Sequence, residues 1–170
     1  ALSGALAALE GPVRLDGSSA SVWVAEQLGE TDVVMGSDPC LLPKATKNAA
    51  EIAGMEAAHL RDGAAMCRFL CWLDAEAPKG GLTEIDVAKR LEQERRADPL
   101  LRDIRFETSS GSGPNGAIVH YRVTEETNRA VTPGELLLVD SGGQYADGTT
   151  DITRTMATGP VTDEQRACFT

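Results

Sequence analysis

The stretch from Leu136 to Thr155 constrains this chain more than any other. It reads Leu-Leu-Leu-Val-Asp-Ser-Gly-Gly-Gln-Tyr-Ala-Asp-Gly-Thr-Thr-Asp-Ile-Thr-Arg-Thr. An apolar run of strand length stops at Asp140, Ser141-Gly142-Gly143 reads as a turn, and a β-branched run resumes at Thr149 and carries Asp151 on to Thr155. The pattern predicts a hairpin with one carboxylate on each arm. Aspartate is a poor strand residue, so its presence at the inner ends of both paired strands needs a cause. Carboxylates brought close repel unless something positive lies between them, and a divalent metal is the usual solution. The plain alternative is that both are turn formers, because Asp and Gly are ordinary hairpin chemistry. Asp147-Gly148 is read as such a turn pair, with no chemistry attached.

Upstream of the hairpin the chain begins as an α/β pattern. Ser3 to Glu10 is a helix candidate, Val13 to Asp16 a strand, Ser18 or Ser19 to Leu28 a second helix, and Val33 to Met35 a second strand. Trp23 sits among apolar neighbours and is expected to be packed. Pro39 and Pro43 then interrupt regular structure in quick succession, which places a linker there.

Two helices follow. Asn48 with Glu51 has capping-box spacing, and Ile52, Met55, His59, Met66, Phe69, Leu70 and Leu73 recur on one helical stripe ending near Ala75. His59 is read as a hydrogen-bonded core residue, and Gly63 as a point of close packing against a neighbour. Thr83 with Asp86 caps a second helix to about Arg96, with Glu92, Glu94, Arg95 and Arg96 as a solvated face. Gly111 to Gly116 fits G-x-G-x-x-G, but Ala117 to Val123 reads as a strand and not as the helix a dinucleotide needs, so no such cofactor is expected. His120 lies on that expected strand, as a structural residue or one facing a cleft. Thr153 and Arg154 are either partners of the two carboxylates or exposed strand residues. Thr162 with Gln165 has capping-box spacing and starts a last helix.

Composition narrows the partners. Among 170 residues, 26 are acidic and 16 basic, giving a net charge of −10 with no block of like charge, which argues against nucleic acid and anionic membranes. No apolar run is long enough to span a bilayer, and Ala5 to Leu9 lacks the flanks of a signal peptide. The cysteines, Cys40, Cys67, Cys71 and Cys168, form no Cys-x-x-Cys pair. Cys67 and Cys71 are spaced to share a helix face and are expected as small core residues of a protein from a reducing compartment.

The wording from Asp140 to Tyr145 and from Asp147 to Thr155 resembles the first metal-ligand segment of the Xaa-Pro aminopeptidases, members of the pita-bread metallopeptidase family. Gly54 to Ala65 resembles the opening helix of that family's catalytic domain. Asn115 to Tyr121 resembles the segment that brings an active-site histidine close to the metals. The resemblance implies an α+β fold, with residues 44–170 as the first half of a pita-bread catalytic domain whose second half is absent. Residues 1–43 would be the C-terminal part of an α/β N-terminal domain plus a linker.

It also implies two divalent ions, commonly Mn2+ with Zn2+ or Co2+ as alternatives, and a hydroxide bridging them as nucleophile. Asp140 would be the bidentate ligand of one ion, Asp151 the bridge between both, and His120 a hydrogen-bond partner of the substrate or of the tetrahedral intermediate. The reaction would remove the first residue from peptides with proline second, in a cytoplasmic homodimer whose partner is the Xaa-Pro peptide, with neither nucleic acid nor membrane. The family's other ligands, a His and two Glu, belong to the second half. Here the histidines are His59 and His120, and the one Glu after Asp151 is Glu164, so the chain alone is expected to bind metal weakly and to be inactive. Other readings are a non-enzymatic pita-bread binding module, disfavoured by the presence of both aspartates, and a prolidase-type dipeptidase, which shares the ligand pattern. A further one is a fragment whose half-sheet pairs with another copy.

Overall fold

The computed structural model describes residues 1–169. The chain divides into two compact units, Ala1–Asn48 and Ala49–Thr170. Among the described residues no helix is long and apolar enough to cross a membrane.

In the first unit, helix α1 (Leu2–Ala7) precedes strand β1 (Val13–Leu15), helix α2 (Val22–Leu28), strand β2 (Val33–Met35) and the short helix α3 (Leu41–Ala45). β1 and β2 pair in parallel, Val13 opposite Val33 and Leu15 opposite Met35, with α2 as the crossover that parallel strands require. Asp16 ties the two strand ends together. Its carboxylate accepts from the Ser18 hydroxyl at 2.6 Å and from the Asp38 backbone N–H at 2.8 Å, which holds it below the usual carboxylate range. Trp23, expected to be packed, is instead 44% exposed, and Leu28 is the buried residue of its helix. Pro43 sits inside α3, in the first turn, where its missing N–H breaks no helical bond.

The second unit is built on two helices, α4 (Ala49–Glu76) and α5 (Glu84–Arg96). Strands β3 (Leu101–Ile104), β4 (Ser109–Ser112), β5 (Leu136–Ser141), β6 (Gly143–Tyr145) and β7 (Ile152–Ala157) follow, and then helix α6 (Asp163–Phe169). β4, β5 and β7 form an antiparallel sheet with β5 in the middle, and β3 pairs with β6 alone. Alternation along β5 buries Leu137, Val139 and Ser141 and leaves Leu136, Leu138 and Asp140 only partly covered. Leu137 and Val139 join Met66, Phe69 and Leu73 of α4 and Val87 and Leu91 of α5 in one core. The helices therefore cover one face of the sheet, and the opposite face is left to the carboxylates.

α5 starts with the capping box its sequence predicts. The Asp86 N–H donates to Thr83 Oγ1 at 3.3 Å, and the Thr83 N–H donates back to Asp86 Oδ2 at 2.9 Å. The Thr162–Gln165 box forms in the same way ahead of α6. The solvated face expected at the end of α5 holds for Arg96 but not for Arg95, which is fully buried against Asp62.

Three expectations about α4 are corrected. His59 is exposed, and its Nδ1 is bonded to the Met55 carbonyl oxygen one turn back at 2.8 Å, so the ring is held by the helix and not by the core. Cys67 and Cys71 do share a face, but it is the exposed one, since Ala58, Asp62, Ala65, Met66, Phe69 and Leu73 take the buried stripe. Gly63 has open space where a side chain would go. The close approach is at Gly54, where a β-carbon would overlap the Asp147 carbonyl oxygen at the hairpin tip.

Candidate metal-binding and catalytic site

The hairpin is longer than the glycines suggest. Ser141 still pairs with Ile152, Gly143 accepts from the Thr150 N–H at 2.9 Å, and the chain reverses only where the Tyr145 N–H meets the Gly148 carbonyl at 2.8 Å. The turn therefore lies at Tyr145–Gly148 and not at Ser141–Gly143. The glycine pair serves close packing instead: a β-carbon at Gly142 would collide with the Thr150 carbonyl, and one at Gly143 would meet the Tyr145 ring at 2.7 Å. Arg61 of α4 fixes the tip by donating to Asp147 at 2.5 Å and to Asp98 at 2.9 Å.

This geometry sets the two aspartates side by side. Asp140 is paired across the sheet with Ser109 on one side and Thr153 on the other. Residues directly opposite in an antiparallel pair share a face, and residues two apart along a strand do so as well. Asp151, two residues before Thr153 and immediately ahead of β7, thus projects from the face that carries Asp140. The Thr153 hydroxyl donates to Asp140 Oδ1 at 2.7 Å and orients that carboxylate, while Arg154 donates to the Thr153 carbonyl. Arg105 pairs with Asp151 Oδ2 across side chains 42% and 52% exposed.

His120 joins the aspartates by a different route from the one expected. Residues 117–123 do not form a strand. Gly113–Ala117 is a 3-10 turn, Ile118 to His120 continue as bend and turn, and His120 has left-handed backbone at φ 54°. Strand pairing is not available to this segment, because Tyr121 is pulled into the interior, its hydroxyl 3.0 Å from the Glu84 carboxylate, while Ile118 and Val119 are 54% and 82% exposed. Burial pushes the Tyr121 phenol above its ordinary pKa, so it remains a neutral donor. The G-x-G-x-x-G stretch is the end of β4 and this 3-10 turn, followed by a bend and not by a helix.

His120, Asp140 and Asp151 line one cavity of about 390 Å³, together with Arg105, Phe106, Glu107, Ser109, Tyr121 and Arg122. A larger groove of about 780 Å³ shares Phe106, Glu107 and Arg122 but contains none of the three. The sequence carried no signal for Arg105, and β3 and β4, which bracket it, are short and irregular in pattern. Carboxylate oxygens suit a hard divalent ion by kind. They fall short in number: among the described residues no group of three or more His, Cys, Asp and Glu side chains is arranged to hold one.

Comparison with known proteins gives a consistent pattern. The profile of metallopeptidase family M24 matches residues 53–170. A probable Xaa-Pro aminopeptidase P of Aspergillus clavatus is 43% identical over 144 residues, covering 84% of this chain and 22% of the relative. Aminopeptidase P2 of Arabidopsis thaliana is 48% identical over 133 residues, covering 78% of this chain and 19% of the relative. This chain thus spans about a fifth of the length of the curated relatives it matches. Among solved structures, the X-prolyl aminopeptidase of Caenorhabditis elegans, described as a cytosolic enzyme with a di-nuclear active site, superposes with a TM-score of 0.85 at 34% identity, over 96% of this chain and 28% of that one.

Proposed function

Because this chain belongs to metallopeptidase family M24, we propose that it supplies one part of the active site of a Xaa-Pro aminopeptidase. Its α+β fold is the pita-bread arrangement of that family. The observation that carries the reading is the convergence of His120, Asp140 and Asp151 on one cavity, on the sheet face that the helices leave open. Asp140 and Asp151 offer their carboxylates to divalent cations, with Mn2+ as the expected native ion, and the remaining ligands come from outside the described residues. When bound, the metal centre supplies a water activated for attack on the peptide carbonyl.

The chain's own residues orient and hold. Thr153 fixes the Asp140 carboxylate. Arg105 neutralises Asp151 and must leave it when a cation arrives. His120 donates a hydrogen bond to the substrate oxygen as negative charge develops there. The substrate class is a peptide with proline in second position. Cytoplasmic residence belongs to the same reading, supported by the free thiols of Cys40, Cys67, Cys71 and Cys168.

After equilibration with Mn2+ and removal of free ion, elemental analysis is expected to find far fewer than two ions per chain. The same preparation is expected to release no first residue from a Xaa-Pro peptide. The full-length enzyme carrying this segment is expected to release it, and to lose that activity on His120→Ala. Tight retention of two ions by these residues alone, or robust hydrolysis by them, would overturn the half-site reading.

A further inference from the structure

The segment that carries His120 is gathered on one buried side chain, Glu84. Glu84, the first residue of α5, is fully buried, although a glutamate in a first helical turn is ordinarily a solvated complement to the helix dipole. A buried carboxylate is stable only when donors surround it. Here they all come from one segment. The Ser112 N–H donates to Oε1 at 2.7 Å, the Asn115 amide reaches Oε1 at 3.0 Å and Oε2 at 3.1 Å, and the Arg129 N–H donates to Oε2 at 3.0 Å. The Tyr121 hydroxyl lies 3.0 Å from Oε2. Both ends of residues 112–129 and the middle are thereby tied to one carboxylate. The backbone repeats the tie, with the Glu84 N–H donating to the Arg129 carbonyl at 2.9 Å and the Ile85 N–H to Asn128 Oδ1 at 3.1 Å.

His120 is the neighbour of the anchored Tyr121. It is itself exposed, and among the described residues its ring makes no hydrogen bond, so nothing at the imidazole fixes its place. Its backbone has φ 54°, the left-handed region, which is uncommon for non-glycine residues although histidine enters it more readily than most. We propose that Glu84 is the positioning residue for His120: by gathering Ser112, Asn115, Tyr121 and Arg129 on one buried carboxylate, it folds their segment so that the imidazole faces the cavity of Asp140 and Asp151. The inference rests on the reading that His120 acts in that cavity. It adds a remote determinant that touches neither substrate nor metal.

The test uses the fact that the chain has two histidines, His59 and His120. In a histidine-labelled sample each ring gives its own Cε1–H resonance, and His59, held on α4 by the Met55 carbonyl, is the internal reference. Glu84→Gln keeps the shape of the side chain but turns one oxygen into a donor facing donors. In the folded variant the His120 resonance is expected to shift, because the ring leaves its place beside Phe106, Asp140 and Asp151, while His59 stays in place. A role confined to general stability would move both or neither. An unchanged His120 resonance in folded Glu84→Gln overturns the proposal. If that variant does not fold, Tyr121→Phe, which removes one link of the set, decides: a smaller displacement of His120 in the same direction supports the proposal, and none overturns it. The two readings fail separately. Loss of activity on His120→Ala in the full-length enzyme, with an unmoved His120 resonance in the Glu84 variant, defeats only the positioning role. A displaced resonance together with full activity of His120→Ala defeats only the catalytic one.

Discussion

Replacing Arg95 with methionine is expected to cost the fold about 3–5 kcal/mol, the range for stranding one member of a buried ion pair. Arg95 and Asp62 are both fully buried, and the guanidinium donates to the carboxylate from Nε at 2.6 Å and from Nη2 at 3.2 Å. The Tyr145 hydroxyl adds a third donation to Asp62 Oδ1 at 3.1 Å. The network joins α4, α5 and β6, and so holds the helices to the hairpin that carries the site. Taking away the guanidinium leaves the Asp62 charge buried with one neutral donor. Replacing both partners, Asp62→Leu with Arg95→Met, is expected to recover much of the loss, because no uncompensated charge then remains. Urea unfolding of the single and double variants measures both, and a loss under about 1 kcal/mol in the single variant would mean that the pair is solvated.

The same network gives an alkaline limit. Burial, and then the Asp62 charge, push the Tyr145 phenol well above its ordinary pKa. A group whose pKa is raised on folding contributes stability that is complete below its unfolded pKa, about 10 for tyrosine, and lost as pH rises through the folded value. Stability is therefore expected to fall above that pH, and the slope to flatten in Tyr145→Phe.

Asp151→Asn is expected to behave in the opposite way, leaving the fold intact and weakening cation binding. The side chain is 52% exposed and its partner Arg105 is 42% exposed, so the pair contributes at most about 1 kcal/mol. Its melting point should be close to that of the parent chain. Affinity for Mn2+ is expected to fall by more than about 100-fold, since even groups that only orient a ligand are worth about 10–100-fold. Arg105→Ala should act in the other sense and strengthen binding, because it frees the carboxylate from a competing cation. Calorimetric titration of the three proteins orders them, and unchanged affinity in Asp151→Asn would remove that residue from the site.

How far the sequence could be read depended on where the determining contacts lay. Local signals were dependable: Thr83 with Asp86 and Thr162 with Gln165 cap their helices as spacing predicts, and the β5–β7 pairing follows from the apolar and β-branched runs. Long-range contacts were not visible. Glycines at 142 and 143 read as a turn because turn chemistry and close packing use the same residue, and only the carbonyl of Thr150 and the ring of Tyr145 tell them apart. The alternation around His120 looked like a strand, but Glu84, far away in sequence, gathers that segment into a turn. Arg95 read as surface because its buried partner Asp62 lies on the preceding helix. Of the residues lining the proposed site, Asp140, Asp151 and His120 were singled out through the wording of their segments, whereas Arg105 came into view only once the chain was folded.

The most direct test of the central claim, that His120, Asp140 and Asp151 face one cation-binding cavity, is the map of resonances broadened by paramagnetic Mn2+ during titration of the chain. Signals from Asp140, Asp151 and the His120 ring are expected to disappear first, with His59 unaffected, and this selectivity should vanish in Asp151→Asn. Broadening spread over the acidic surface of a chain with net charge −10, or a pattern that the substitution leaves unchanged, would contradict it.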